Sequence, residues 1–293
     1  MPRVPEAFLG SVFYLYRTAD DARRGERNGG TGFFVSVADD DPEGQPFLYA
    51  VSNWHVVAPS PLGNASVARV NTKDGDFEVL DGLEWTHHPD GDDVAIARVV
   101  LAREHLAYGI KSSLCLTGWD PGESDEQSGL TRLFGPGNET FLIGRYADHE
   151  GREQNHPVVR FGNVSMMPWE KTRNRQLGFD QESYVVESRS IGGFSGSPVF
   201  VNPQYFLDDN GHWDFYMRGG SWLLGLVWGH GERYGPVYES DEKTEASEGW
   251  VVKQNVGLMY VVPSWKIGDL LMNDKEIATR ARIRDESNED SGR

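Results

Sequence analysis

Cysteine is nearly absent from this sequence. Cys115 stands alone among 293 residues, so no intrachain disulfide can form, and the lack of cross-links points to a reducing compartment. Cys115 itself lies in Leu114-Cys115-Leu116, an apolar run that reads as a buried thiol rather than a nucleophile. Long hydrophobic runs are missing as well. No stretch is long enough to span a membrane, and Met1 to Gly10 lacks the basic-then-apolar pattern of a secretion signal. The expectation is a cytoplasmic protein with no membrane partner. Without a secretion signal, the Asn-x-Ser/Thr triplets at Asn64, Asn138 and Asn163 read as chance matches. Positive charge is the third shortage: 28 Lys and Arg face 45 Asp and Glu, for a net charge of −17. Such a surface repels phosphate backbones, which excludes nucleic-acid binding through a general basic face.

Turn formers, by contrast, are plentiful, with 34 Gly and 15 Pro. Between them lie short runs rich in Val, Phe and Tyr. Those at Ser11–Tyr16, Thr31–Val37, Phe47–Val51, Ala65–Val70, Phe77–Trp85 and Val94–Val100 read as strands. Strands resume at Thr140–Tyr146, Val158–Met166, Tyr184–Ser188, Ser197–Val201, Trp222–Trp228 and Val256–Val262. The stretches Asp20–Gly30, Asn202–Ser221 and Glu232–Gly249 are polar, punctuated by Gly or Asp, and read as loops. Strands this short and this closely spaced make a sandwich or a barrel. Asp120–Gly129 is the candidate linker. After Pro263, Ser264 stands as N-cap before Trp265, Ile267, Leu270 and Leu271, which recur at helical spacing. From about Asp285 the tail is almost wholly polar and is expected to be disordered.

Three segments carry chemistry. The first is Gly192-Gly193-Phe194-Ser195-Gly196-Ser197-Pro198. A serine hydroxyl is a poor nucleophile unless a base sits beside it and donors await the oxyanion. Glycines around Ser195 permit a sharp turn that can aim the N–H groups of Gly193 and Ser195 into one hole. The second is Val51-Ser52-Asn53-Trp54-His55, which sets an imidazole at the end of a hydrophobic strand. The third is Asp92-Asp93-Val94-Ala95-Ile96, an acid at the start of an apolar strand, placed to be buried and to accept an imidazole N–H. Asp92 competes for that role, and Asp93 is preferred because it directly precedes the apolar run. Taken singly, each segment has a bland reading: a Gly/Ser turn, a structural histidine, a turn carboxylate. Their order, His then Asp then Ser, separates this arrangement from the subtilisin and α/β-hydrolase orders.

On these residues the chain resembles the trypsin/chymotrypsin superfamily of serine peptidases. Gly193-Phe194-Ser195-Gly196-Ser197-Pro198 is similar to the family's Gly-Asp-Ser-Gly-Gly-Pro. Asn53-Trp54-His55-Val56 resembles its Thr-Ala-Ala-His-Cys region in the disulfide-free form of bacterial members, and Asp93-Val94-Ala95-Ile96 resembles its Asp-Ile-Ala-Leu. Leu224-Gly225-Leu226-Val227-Trp228-Gly229 is similar to the strand that lines the primary specificity pocket. The resemblance implies an all-β chain of two packed six-stranded β-barrels followed by a C-terminal helix. Residues 1–119 would form the barrel carrying His55 and Asp93, residues 120–262 the barrel carrying Ser195, and residues 263–293 the helix and a polar tail. It also implies a catalytic triad of His55, Asp93 and Ser195, an oxyanion hole from Gly193 and Ser195, a protein or peptide substrate, and no metal or organic cofactor.

The pattern departs from the family at Phe194, which replaces the acid that pairs with a freed N-terminus in zymogen-activated members. This chain is therefore expected to be active as made, or controlled by a regulatory protein partner or by loop ordering. Pocket residues follow from the resemblance as Arg189, Val227, Trp228, Gly229 and His230. If Arg189 points inward, its guanidinium favours an acidic substrate side chain; pointing outward, it is a solvated loop residue. The segments around Ser197 and Trp228 partly resemble glutamyl endopeptidases, which carry a pocket histidine where Val227 stands, and His230 lies close by. Three other readings remain open. The first is a catalytically silent module of the same fold acting as a protein-binding or regulatory domain. The second is an esterase with the same triad. The third is divalent-ion binding by the His87–Asp93 cluster. Trp213, Phe215 and Tyr216 form either a partner surface or packing beneath a long loop.

Overall fold

The computed structural model describes residues 3–26, 28–39, 44–59, 64–100, 110–111, 134–145, 151, 153–175, 177–188, 193–202, 206–207, 213–214, 221–237 and 250–291. A short helix α1 (Glu6–Gly10) leads into a β unit built from β1 (Val12–Tyr16), β2 (Asn28–Val37), β3 (Phe47–Ser52), β4 (Val67–Asn71), β5 (Phe77–Leu80), β6 (Thr86–His87) and β7 (Ala95–Val99). These pair antiparallel in the order β5-β4-β1-β2-β3-β7-β6, and β8 (Ile110–Lys111) joins β2 in parallel. Helix α2 (Ala19–Arg24) sits between β1 and β2, and α3 (Trp54–Val57) follows β3.

The second unit contains a closed six-stranded barrel. Its strands are β9 (Glu139–Gly144), β10 (Val158–Met166), β13 (Tyr184–Ser188), β14 (Pro198–Asn202), β17 (Trp222–Pro236) and β18 (Val251–Pro263). Two ribbons branch from it: β11 (Thr172–Asn174) with β12 (Phe179–Gln181), and β15 (Phe206–Leu207) with β16 (Trp213–Asp214). Helices α4 (Trp265–Leu271) and α5 (Asp274–Ser291) close the chain. The fold is all-β with a helical C-terminus, as expected. The second unit closes into six strands, whereas the strands of the first run as an open path among the described residues. No described helix is long and apolar enough to cross a membrane.

Strand periodicity explains how the units pack. Val12, Tyr14 and Tyr16 of β1 face one hydrophobic cluster, while Phe13 and Leu15 face another. Tyr49 and Val51 of β3 divide from Leu48 and Ala50 in the same way. Successive side chains alternate faces, so this sheet is buried on both sides. The first of these clusters continues through Phe141, Phe200, Leu226 and Val262 of the barrel and Ile267 and Leu271 of α4. One core therefore joins both units, at about 1.5–3 kcal/mol per large apolar side chain buried. Phe8 of α1 reaches over as well, with ring centroids 4.6 Å from Phe200.

Polar ties reinforce this seam. Asn155 is buried; its amide Nδ2 donates to Arg69 O at 2.6 Å and its backbone N–H to Asn71 Oδ1 at 2.8 Å. Asn71 Nδ2 returns a bond to Asn155 O at 2.8 Å. Arg69, fully buried, sends Nη2 to Gly151 O at 2.8 Å.

Several expectations need correction. Asp20–Gly30 is not one loop: Thr18 Oγ1 accepts from Asp21 N at 3.1 Å, Gly25 ends the turn in the left-handed region at φ 66°, and between them the chain is helical. His55 lies in a short helix rather than at a bare strand end. Phe77–Trp85 is not one strand, because β5 stops at Leu80 and β6 begins at Thr86. Beyond Trp228, β17 and β18 continue as a two-stranded arm, with Glu232 opposite Asn255 and Pro236 opposite Val251. Ser264 makes no side-chain cap; its carbonyl instead accepts from Ile267 and Gly268.

The tail from Asp285 continues α5 rather than fraying. Asn273 Oδ1 receives Glu276 N at 2.9 Å. Tyr49 Oη donates to Glu276 at 3.0 Å, Arg280 donates to Leu271 O at 2.8 Å, and Arg284 pairs with Asp39 at 3.5 Å. These contacts fix a helix whose own residues carry little apolar pattern.

Asn155→Ala removes one buried donor and leaves Arg69 O without it, so the protein is expected to lose about 1–3 kcal/mol of stability in urea unfolding. A change within a few tenths of a kcal/mol would mean the seam does not depend on this bond.

Candidate active site

Asp93 and His55 meet through two hydrogen bonds. Asn53 precedes α3 and its carbonyl accepts from Val56 and Val57. Its side chain, which would ordinarily cap the helix, instead donates from Nδ2 to Asp93 O at 2.8 Å. Asp93 is fully buried and spends both carboxylate oxygens on His55: Oδ1 takes the backbone N–H at 2.9 Å and Oδ2 lies 2.6 Å from ring Nδ1. An ionised carboxylate only accepts, so Nδ1 carries the proton and Nε2 is left as the acceptor of the neutral ring. Of the neighbouring acids, Asp93 reaches His55, whereas Asp92 lies 3.0 Å from Lys266 Nζ on α4.

Ser195 comes from the turn that precedes β14. Gly193 at φ 104° and Gly196 at φ 83° supply left-handed conformations that side chains resist. Within the loop, Ser197 N donates to Phe194 O at 2.9 Å, and Gly196 N donates to Val227 O at 2.9 Å. Val227 N in turn donates to Ser197 O at 3.0 Å. The N–H groups of Gly193 and Ser195 make no backbone hydrogen bond with any described residue. Phe194 is buried, and the Arg160 guanidinium lies 5.4 Å from its ring centre.

The loop is docked against the first unit at Thr31. Thr31 N donates to Ser195 O at 2.9 Å, and Thr31 Oγ1 to Gly193 O at 3.4 Å. Ser52 Oγ donates to Thr31 O at 2.8 Å. A Cβ at Gly196 would lie 1.9 Å from Thr31 O and 2.5 Å from Ser52 Oγ, so only glycine allows this approach. Gly30 shows how close the two segments come. A Cβ there would lie 2.7 Å from Val56, the neighbour of His55, and 3.4 Å from Ser195 O.

A cleft of about 710 Å³ opens beside Ser195 and is lined by Trp228, Gly229 and His230, together with Arg173, Arg175, Arg233 and Tyr260. Trp228 stacks on Tyr260 at 5.1 Å and donates from Nε1 to Ser183 Oγ at 2.9 Å. Val227 contributes its backbone to the serine loop, while its side chain is buried in the barrel core. Arg189 and Cys115 lie outside the described residues, as do Phe215 and Tyr216; Trp213 is in β16.

Sequence reasoning missed Thr31 and the segment Gln181-Glu182-Ser183. Gln181 Oε1 accepts Asp93 N–H at 2.9 Å, Glu182 accepts from Trp265 Nε1 at 3.3 Å and pairs with Lys266 at 3.3 Å, and Ser183 holds Trp228. Three consecutive residues thus touch the acid, helix α4 and the cleft. The available signal was the one used for Asp93, a polar residue set immediately before an apolar strand. Burial works against the Lys266 ammonium, but Asp92 and Glu182 outweigh it and raise its pKa.

Ligand atoms of His88, Asp90 and Asp92 lie within 4.8 Å of one another, a spacing that could hold a metal ion. Lys266 already supplies a cation to Asp92, and His88 Nδ1 accepts Asp90 N–H at 3.3 Å.

No protein-family model matches the sequence, and no curated protein does. Among solved structures, the chain is similar to the crystal structure of Rv3671c protease in an inactive form, with 15% identity, coverage of 90% of this chain and 89% of that one, and a TM-score of 0.45. It is also similar to Rv3671c from M. tuberculosis H37Rv, a serine-to-alanine mutant in an inactive form, with 14% identity, coverage of 94% and 89%, and a TM-score of 0.43. In its own architecture the chain is an all-β protein, a closed six-stranded barrel beside a second β unit with helices at the C-terminus.

His87, next to the site, stacks on Trp54 at 4.4 Å and lies 3.0 Å from Asp92 O through Nε2. Burial holds its imidazole below the ordinary value of 6.5, so protonation favours the unfolded chain. The contribution is complete above pH 6.5 and is lost as pH falls through the lower folded value. Between about pH 8 and pH 5, the thermal midpoint is expected to fall more in the wild type than in His87→Phe, which keeps the stack without the titration. Equal falls in both proteins would remove His87 from the acid response.

Proposed function

We propose that this chain is a serine endopeptidase that hydrolyses peptide bonds in a protein substrate through an acyl-enzyme, with His55, Asp93 and Ser195 as its triad. The observation that carries this reading is the buried Asp93 carboxylate holding His55 at both its backbone N–H and its ring Nδ1. A structural histidine needs one such bond. The bond at Nδ1 sets tautomer and ring orientation while the backbone bond holds the carboxylate in place for it, which is what a base acting through Nε2 requires.

In this mechanism, His55 Nε2 takes the Ser195 hydroxyl proton as Oγ attacks the scissile carbonyl. Asp93 stabilises the imidazolium that results without itself being protonated. Charge gathers on the former carbonyl oxygen and is received by the N–H groups of Gly193 and Ser195. The tetrahedral species collapses as His55 returns the proton to the leaving amine, and the acyl group stays on Ser195. Water, deprotonated by His55, then attacks the ester, and the acid product leaves as Ser195 regains its proton. No step calls for a metal or an organic cofactor. Phe194 cannot pair with an N-terminal ammonium, so the oxyanion donors are set by the loop's own bonds rather than by N-terminal processing.

A fluorophosphonate is expected to label wild-type protein at Ser195 in a single site, found by mass spectrometry of the digest, and to leave Ser195→Ala unlabelled. Asp93→Asn should slow labelling by roughly 10³–10⁴-fold, because Nδ1 then loses the acceptor that fixes its proton. A wild-type protein that stays unlabelled while fully folded would contradict the peptidase reading.

A further inference from the structure

The cleft beside Ser195 is opposite in sign to the chain that forms it. Net charge is −17, yet the cleft is lined by Arg173, Arg175 and Arg233 against one carboxylate, Glu232. Glu232 is already engaged: its Oε1 lies 3.0 Å from His230 Nε2 and also takes Lys253 Nζ. Arg173 lies 3.4 Å from Asp180 across the ribbon, with both side chains more than half exposed. Arg175 and Arg233 have no acidic partner among the described residues, and they come from different elements, the turn after β11 and the β17 arm.

We propose that this cleft selects peptides carrying carboxylate side chains beside the scissile bond, with Arg175 and Arg233 as the groups that receive them. The inference rests on the peptidase reading for its scissile bond, but not on Arg189. Arginines on exposed hairpins are commonly just solvated. Here two of them line the same cleft as Ser195, in a protein where acids outnumber bases. A guanidinium fork matches a carboxylate in two parallel bonds, which a solvated lysine would not. The overall negative charge does not cancel this preference. At physiological salt, screening limits each charge to about 8 Å, so a docked substrate senses the arginines more than the distant acids. An acidic substrate would approach slowly and bind selectively.

Ser195→Ala protein, titrated with fluorescein-labelled peptides of one length that carry either Glu or Gln around a shared central sequence, reads the cleft without turnover. The Glu peptide is expected to bind about tenfold tighter. That advantage should shrink at high salt, fall away with Arg175→Gln/Arg233→Gln, and survive in part with both arginines changed to lysine. Fluorophosphonate labelling of the same arginine variants on a wild-type Ser195 background reports that the nucleophile and the fold are intact. Equal binding of Glu and Gln peptides overturns the acidic selection whatever the labelling shows. A full preference retained in Arg175→Gln/Arg233→Gln protein that still labels would overturn the assignment to these arginines. Absent labelling of the wild type would strike the peptidase reading instead, leaving the charge preference of the cleft measured by the titration.

Discussion

Thr31 is the point at which the two β units become one site. Every polar atom it has is engaged: its N–H with Ser195 O, its carbonyl with Ser52 Oγ, its hydroxyl with Gly193 O and Arg145 N. It is fully buried, so each bond forms where water cannot substitute and leaving one unmade would be costly. Ser52 ends the strand that leads to His55, and Gly193 and Ser195 belong to the loop before β14. One β2 residue therefore sets the position of the serine loop relative to the histidine. Gly196 is required on the opposite side of the same contact, since a methyl group there would collide with Thr31 O.

The remaining contacts fix the parts around that junction. Gln181-Glu182-Ser183 grips the Asp93 backbone, the α4 side chains and Trp228 in turn, so the acid and the cleft wall share one support. Helix α5 then runs back to Tyr49 and Asp39 of the first unit. These contacts hold the units together from a second side. The residues that position Asp93, His55 and the serine loop are also those that close the seam.

Much of this was legible in the sequence, and the reasons are specific. Asp93, His55 and Ser195 each sit at the boundary between a polar turn and an apolar strand, where periodicity makes a residue conspicuous. Most strands were found for the same reason. What escaped notice lay in signals too short or too distant. Helix α2 was announced only by Thr18 and Gly25, and α5 only by Asn273 and Glu276, pairs that become persuasive once tertiary contacts such as Arg280 with Tyr49 are seen. The β17–β18 arm is exposed on both faces, so it leaves no alternation to read. Thr31 acts through backbone partners far away in the chain, and no local pattern marks it. Arg175 and Arg233 look like any surface arginine until folding brings them beside Ser195.

His55 donates its Nδ1 proton to the buried Asp93 carboxylate. Proton NMR in water tests it directly. One imidazole N–H resonance is expected far downfield of the amides, lost in Asp93→Asn and shifted when Ser195 is covalently modified. A folded protein without that resonance, or one in which modification of Ser195 leaves it unmoved, would rule out a His55–Asp93 pair acting on Ser195.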